Sequence, residues 1–317
     1  ASEVTLSNEG PIGEKTTYIF SARRSYLQGL FRLIGLPFLP TFNDFTFKTK
    51  TKINDKTELT VLGVGAIDQF ALNFDVPDEE TEEERDDRLY LLDNLPISTQ
   101  WNYAMGAKLK TFRDNGFWTF IVSRNMLNNR SYKYAGNDES SEDNLQFNYL
   151  SQESENKFRA ENSIFSKGYT LQYGMNYEFS RYLIENYDTK FTDQNGLPRD
   201  VSSISLFNSY GAFVMGSKKY FNDRLIVNLG LRMDGSDFGE TAKNPLNQLS
   251  PRFSTSYQLK NNLFWNASAG IYYQKPPYTV LGFQNNEGVF KNQVNDVKFM
   301  RSTHYITGFE WQFPEKN

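Results

Sequence analysis

Tyr169-Thr170-Leu171-Gln172-Tyr173-Gly174-Met175-Asn176-Tyr177-Glu178-Phe179-Ser180 puts an apolar or aromatic residue at every second position and a polar residue or glycine between. Successive strand side chains point to opposite faces, so this stretch reads as a β-strand with one apolar and one polar face. The same period recurs through Trp101, Tyr103, Met105, Ala107 and Leu109, through Leu225, Val227, Leu229, Leu231 and Met233, and through Tyr305, Thr307, Phe309, Trp311 and Phe313. Thirteen strands are expected, near 3–8, 16–23, 43–53, 57–69, 100–112, 117–126, 157–165, 169–181, 203–220, 224–234, 251–259, 263–273 and 301–313.

The joints between them alternate without exception. Short connections at 9–15, 54–56, 113–116, 166–168, 221–223 and 260–262 are interleaved with long ones at 24–42, 70–99, 127–156, 182–202, 235–250 and 274–300. Asn54-Asp55 and Asp114-Asn115-Gly116 carry tight-turn chemistry. In an up-and-down antiparallel sheet every second joint falls on the same rim. One rim is therefore trimmed and the other bears long polar loops, the asymmetry of bacterial outer-membrane β-barrels with short periplasmic turns and long extracellular loops. Trp118, Trp265 and Trp311 lie near short-turn ends and Trp101 at the opposite rim, as two interfacial girdles require. A soluble sandwich would not need polar residues at alternate positions of strands this long.

Composition agrees. The 317 residues are 16% aromatic, which excludes a disordered chain, and no run of about 18 apolar residues exists to form a membrane helix. The net charge of −4 belongs to Asp78–Asp87, with eight acids and one Arg; the remainder has 33 basic against 30 acidic residues and gives no ground for a nucleic-acid partner. With no Cys, thiolate metal sites, thiol nucleophiles and disulfides are excluded, and a single His, His304, excludes a His-rich metal site. No cofactor is expected. The acidic run, like Asn137–Asp143, reads as a solvated extracellular loop, since it lacks the spaced ligands of a calcium loop.

Several segments resemble the barrel of TonB-dependent outer-membrane receptors, in the branch with a plug and an N-terminal carboxypeptidase-regulatory-like domain. They are Asn8-Glu9-Gly10-Pro11-Ile12-Gly13 with Tyr18 to Leu27, Ser250-Pro251-Arg252-Phe253-Ser254, Gly270 to Tyr278, and Arg301-Ser302-Thr303-His304-Tyr305. The resemblance implies a barrel of about 22 strands, of which this chain covers about the second to the fourteenth. It implies uptake of a scarce nutrient, small or oligomeric, by active transport coupled to the TonB complex through the plug. Residues 1–317 are thus expected to be an interior, partial transmembrane β-barrel domain, with plug and C-terminal strands absent. Residues 313–317 read as entry into another short turn. The rival readings are a passive channel, a complete smaller barrel, and a structural or adhesive surface barrel.

No catalytic constellation emerges. A Ser beside His304 would suggest an outer-membrane phospholipase, but the sequence places none there, and a non-enzymatic barrel is expected. Strand parity puts Arg23, Arg232, Asp234, Arg252, Gln274 and His304 at the outer rim facing inward, a vestibule for a polar or anionic ligand; generic lumen polarity explains them as well. Arg24 and Arg124 have lipid-facing parity at that rim, where they pair with lipopolysaccharide phosphates or snorkel. Tyr272, Tyr273 and Tyr278, beside Pro276-Pro277, fit sugar stacking, an aromatic girdle or a rigid loop entry. The expected partners are outer-membrane lipid with lipopolysaccharide, the TonB complex, the nutrient, and a surface lipoprotein over the long-loop rim.

Overall fold

The computed structural model describes residues 2–75, 81–192, 196–285 and 287–313. Alternation dictates strands, and strands satisfy their backbone groups only by pairing, so each hairpin must find the next. Thirteen strands form one antiparallel sheet in strict sequence order, with β1 and β13 at its edges. They are β1 (Glu3–Ile12), β2 (Thr16–Ser25), β3 (Phe38–Asn54), β4 (Thr57–Leu72), β5 (Ile97–Arg113), β6 (Gly116–Tyr134) and β7 (Leu145–Ser166). β8 (Tyr169–Thr192), β9 (Pro198–Tyr220), β10 (Leu225–Ser236), β11 (Ser250–Lys260), β12 (Leu263–Gln274) and β13 (Met300–Trp311) complete it. Residues 314–317, with their expected turn, and residues 78–80 of the acidic run lie outside the described residues.

Register converts the sequence pattern into two faces. Ile67 pairs Trp101, which pairs Asn128; Phe158 pairs Tyr177, which pairs Tyr210; Val227 pairs Thr255, which pairs Ala267. Followed across the sheet, one face collects Phe20, Phe45, Met105, Val122, Phe158, Met175, Leu229, Phe253 and Phe309. These side chains are exposed, Met175 at 60%, Leu229 at 62% and Phe309 at 72%. An apolar area this contiguous, left uncovered, marks a surface solvated by something other than water. All four tryptophans share that face: Trp118, Trp265 and Trp311 near the short turns and Trp101 toward the far rim. The opposite face carries cross-strand charges: Arg23 pairs Asp44, Lys157 pairs Glu178, and Gly230 pairs Arg252.

Two expectations need correction. The long connection at 127–156 contracts to residues 135–144, because β6 and β7 continue as a paired ribbon; β8 and β9 likewise absorb most of 182–202. The extensions were hidden because above the apolar band neither face needs lipid-compatible side chains, so alternation fades while the ladder continues. There the strands are held by polar cross-strand contacts such as Ser98 Oγ to Ser131 Oγ at 2.7 Å and Gln152 Nε2 to Asn128 Oδ1 at 2.9 Å. The acidic run is also not simply a solvated loop. From Thr81 it opens α2 (Glu82–Asn94), after α1 (Leu27–Leu33) in the previous long connection. The Thr81 hydroxyl accepts the Glu84 N–H at 3.3 Å, and the Thr81 N–H donates to Glu84 Oε2 at 2.9 Å. Glu82, Glu83 and Glu84 then favour the positive end of the helix dipole.

The short rim depends on backbone freedom at one turn in particular. Gly116 follows Asp114-Asn115 with φ +155°, and a Cβ there would fall 1.9 Å from the Ser163 carbonyl oxygen. Gly116→Ala is therefore expected to destabilise the sheet by about 1–3 kcal/mol. A lowered urea midpoint in detergent micelles, followed by tryptophan fluorescence, is the readout.

Candidate ligand site on the polar face

Continuous backbone pairing keeps β9 to β13 in register, across two short turns and two long connections, so polar-face residues of these strands meet in rows. Arg252 of β11 lies opposite Gly230 of β10 and Gly270 of β12, and Gly270 lies opposite His304 of β13. Two glycines beside one arginine leave space for its side chain and for a neighbour's ring. The Arg252 guanidinium sits 4.5 Å from the Tyr272 ring centroid, and Tyr272 meets His304 at 4.8 Å. His304 Nε2 is 2.8 Å from Ser302 Oγ. A cavity of about 440 Å³ opens beside this row, lined among others by Arg159, Gln172, Phe213, Arg232, Arg252 and Tyr272.

The three arginines are not equivalent. Arg232 donates from Nε to Asp234 Oδ2 at 2.7 Å and from Nη2 to Asn176 Oδ1 at 3.0 Å, and Arg159 donates to Glu161 at 2.8 Å. Among the described residues Arg252 has an aromatic face and no carboxylate. It is the cation best placed to accept an anionic group from outside the chain.

Of the inward residues singled out by parity, Arg232, Asp234, Arg252 and His304 fall in this neighbourhood. Arg23 does not: it lies on β2, where its Nε donates to Asp44 at 2.8 Å and its Nη1 reaches Glu3 at 3.4 Å. Gln274 ends β12 opposite Met300 and does not line the cavity. The outward pair, Arg24 and Arg124, sits on the apolar face as parity required. Ser302, now beside His304, lies with it on an exposed strand with no third group orienting the ring among the described residues, so no hydrolytic triad forms.

Sequence reasoning missed a second polar-face cluster. The connection from β12 to β13, carrying α4 (Tyr278–Leu281), folds over the inner wall and fastens there. Tyr278 stacks on Tyr182 and Phe207, with ring centroids 5.9 and 6.0 Å away. Its hydroxyl donates to Glu155 Oε1 at 2.6 Å and accepts from Lys275 Nζ at 3.0 Å. Lys275 also reaches Glu178 at 2.5 Å, and Lys157 lies 2.6 Å from Glu155 and 3.3 Å from Glu178. Burial, reinforced by the Glu155 carboxylate, pushes the Tyr278 hydroxyl well above the ordinary tyrosine range, so it stays a donor. Tyr278 is thus neither girdle nor sugar platform; Tyr272 points into the polar side, and Tyr273 shares the apolar face. The signal was Lys275-Pro276-Pro277-Tyr278 itself, but only the fold brings it to acids about 100 residues earlier in the chain (|i−j| = 97 and 123).

Phe238, between β10 and α3 (Glu240–Lys243), joins the same apolar cluster with Ala242 and Leu281. The two loops are tied directly, since Asp296, which follows α5 (Lys291–Val294), accepts the Thr241 N–H at 2.8 Å and the Thr241 hydroxyl. Those hydrogen bonds hold the Asp296 carboxyl below its usual range.

Comparison with known proteins bears on this arrangement. The family model described as TonB dependent receptor-like, beta-barrel matches residues 32–316. No curated protein matches the sequence. Among solved structures, the siderophore receptor PirA from Acinetobacter baumannii is similar with TM-score 0.69 and 14% identity, over 98% of this chain and 48% of that one. The copper transporter OprC gives 0.67 and 11%, over 98% and 49%. A ferric enterobactin receptor (PfeA) mutant from Pseudomonas aeruginosa gives 0.60 and 13%, over 86% and 41%. The chain therefore spans less than half the length of these structures, and the likeness is one of fold.

A lowered carboxyl pKa stabilises above the unfolded value, here 3.8, and the contribution is lost as pH falls through the folded value. Pepsin cleavage within residues 237–299 is expected to accelerate between about pH 4.5 and about pH 2.5, whereas Asp296→Asn is cut rapidly at both. Tyr278→Ala, which opens a cavity and strips a donor from Glu155, is expected to expose the same segment at neutral pH, at a local cost of about 3–5 kcal/mol.

Proposed function

Because the chain belongs to the TonB dependent receptor-like β-barrel family, whose barrels are outer-membrane proteins, we propose that it forms the wall of a receptor importing a scarce nutrient by TonB-coupled active transport. The observation that carries the reading is the joining of this family fold to a polar face with a built cavity rather than an open, uniform lining. Arg252, unpaired by any described carboxylate, favours an anionic ligand, with Arg232, held by Asp234, beside it. An anionic metal chelate, of the kind named for the enterobactin receptor, is the first class to test. The ligand lodges among the arginines beneath the long loops, and energy relayed by the TonB complex through a plug releases it inward. A surface lipoprotein over the loop rim fits the same reading. The arrangement has no use for a general base or a covalent nucleophile, since binding and release break no bond.

The test uses the full-length receptor containing this barrel, in cells with and without TonB. Uptake of labelled ferric enterobactin is expected only in TonB-positive cells. Arg232→Gln with Arg252→Gln is expected to weaken binding roughly tenfold. Unchanged affinity discards the arginine site, and uptake persisting without TonB favours a passive channel instead.

A further inference from the structure

Above the girdle row in which Trp101 pairs Asn128, β6, β7 and β8 continue toward the long-loop rim, and their polar face carries an ordered row of unlike side chains. Lys133 of β6 lies opposite Phe147 of β7, and Phe147 lies opposite Asp188 of β8. Cation, ring and anion thus occupy adjacent positions on one face. Neighbouring strands are about 4.8 Å apart, so Lys133 and Asp188 are separated by about 10 Å at the backbone, with Phe147 between them. The last turn of α2 leans over the same place and adds Asp93. A cavity of about 350 Å³ results, lined among others by Asp93, Lys133, Gln146, Phe147, Asp188 and Lys190.

The charges around the cavity do not neutralise one another. Among the described residues no ion pair joins Asp93, Lys133, Asp188 and Lys190, and Arg199, opposite Asp188 on β9, does not pair with it either. Lys133 is only 6% exposed. Its ammonium donates to the Leu92 carbonyl and to Asn137 Oδ1 at 2.5 Å, which uses two of its three N–H groups and ties the end of α2 to the wall. Burial pulls this ammonium below the ordinary lysine range, and the Asp93 carboxylate offsets the effect only in part. A buried ammonium with a spare donor and no ion-pair partner gains from an added carboxylate. Asp188 is held as well, since its Oδ1 accepts the Lys190 N–H at 2.8 Å. The Thr189 hydroxyl donates to the Gln146 carbonyl at 3.1 Å and braces the two strands behind it.

We propose that this cavity binds a zwitterionic oligopeptide of about three residues, its terminal carboxylate on Lys133, its terminal ammonium on Asp188 and its backbone across Phe147. At about 3.5 Å per residue, an extended tripeptide covers the distance between the two charges. A free amino acid is too short to reach both. A ligand of one sign, whether a dicarboxylate or a diamine, leaves one of the two charges opposed. The site goes beyond the arginine cavity: Asp188 lies far along β8 from Gln172, which lines that cavity, and the new site asks for both signs of charge. Binding here needs no energy coupling.

The experiment is surface plasmon resonance on the purified full-length receptor in detergent, with trialanine, N-acetyl-trialanine and trialanine amide as probes. Trialanine is expected to bind with a resolvable dissociation constant, and each blocked form roughly tenfold more weakly. Asp188→Asn is expected to weaken trialanine roughly tenfold while leaving N-acetyl-trialanine, which has no ammonium, at its wild-type constant. Lys133→Gln, which keeps a donor for the Leu92 carbonyl, is expected to weaken trialanine equally and to spare trialanine amide. The spared peptide in each pair shows that the cavity is intact. Blocked peptides binding as tightly as trialanine overturn the proposal, and so do wild-type constants for trialanine in both variants or no trialanine binding up to about 10 mM. Uniform loss of all three peptides in both variants places the two residues in the scaffold and overturns it too. TonB and the Arg252 ligand take no part in these measurements, so failure of the transport reading leaves them unchanged.

Discussion

Everything in this molecule follows from the need to pair backbone hydrogen-bonding groups while giving the two faces of one sheet unlike solvents. A strand that satisfied only its ladder could carry any side chains; here one face is a continuous band of exposed apolar side chains and the carboxylates of that band lie on the other over most of the width of thirteen strands. Lipid offers no hydrogen bonds, so each polar group facing it must be satisfied within the chain or by a lipid headgroup. The partition explains why Trp265 turns its indole N–H to Thr307 Oγ1 at 2.9 Å, and why Arg124 is tethered to Tyr103 and Asn156. The same partition frees the inner face to carry charge. The cavity beside Arg252 and the clamp around Tyr278 depend on it.

The sheet was legible because its signal is periodic and local. Tyr169 to Ser180 announces a strand without reference to any other segment, and alternating long and short joints give the order of pairing. Legibility failed where the lipid constraint lapses. Leu145, Phe147 and Tyr149 alternate with Gln146 and Asn148, but at the parity opposite to Phe158 and Ala160, and Leu150-Ser151 breaks the period, so the stretch does not read as a continuation of the same strand. The acidic helix α2 was hidden for a different reason: its charge run dominates its composition, and the Thr81–Glu84 capping pair carries the structural information in two residues.

The site was half legible. Parity assigns Arg232, Arg252 and His304 to one face correctly, but it cannot say that Arg23 lies eight strands away from Arg232, because distance across a sheet accrues through pairing and not through side-chain type. Nor can it find Tyr278, whose partners Glu155 and Glu178 are brought to it only when the β12–β13 connection folds back onto β7 and β8. The clamp is a long-range object. It also gives the loops a defined floor, with the Phe238 and Tyr278 cluster lying against the wall.

The prolonged hairpins have a consequence of their own. β8 runs 24 residues, and β7 and β9 run 22 and 23. At about 3.3 Å per residue and a tilt near 45°, such a ribbon rises well beyond an apolar band of about 25 Å, by roughly 30 Å. A paired ribbon of that height stands far clear of the apolar band, so in the proposed receptor a ligand would be met well outside the bilayer before reaching the level of the lipid.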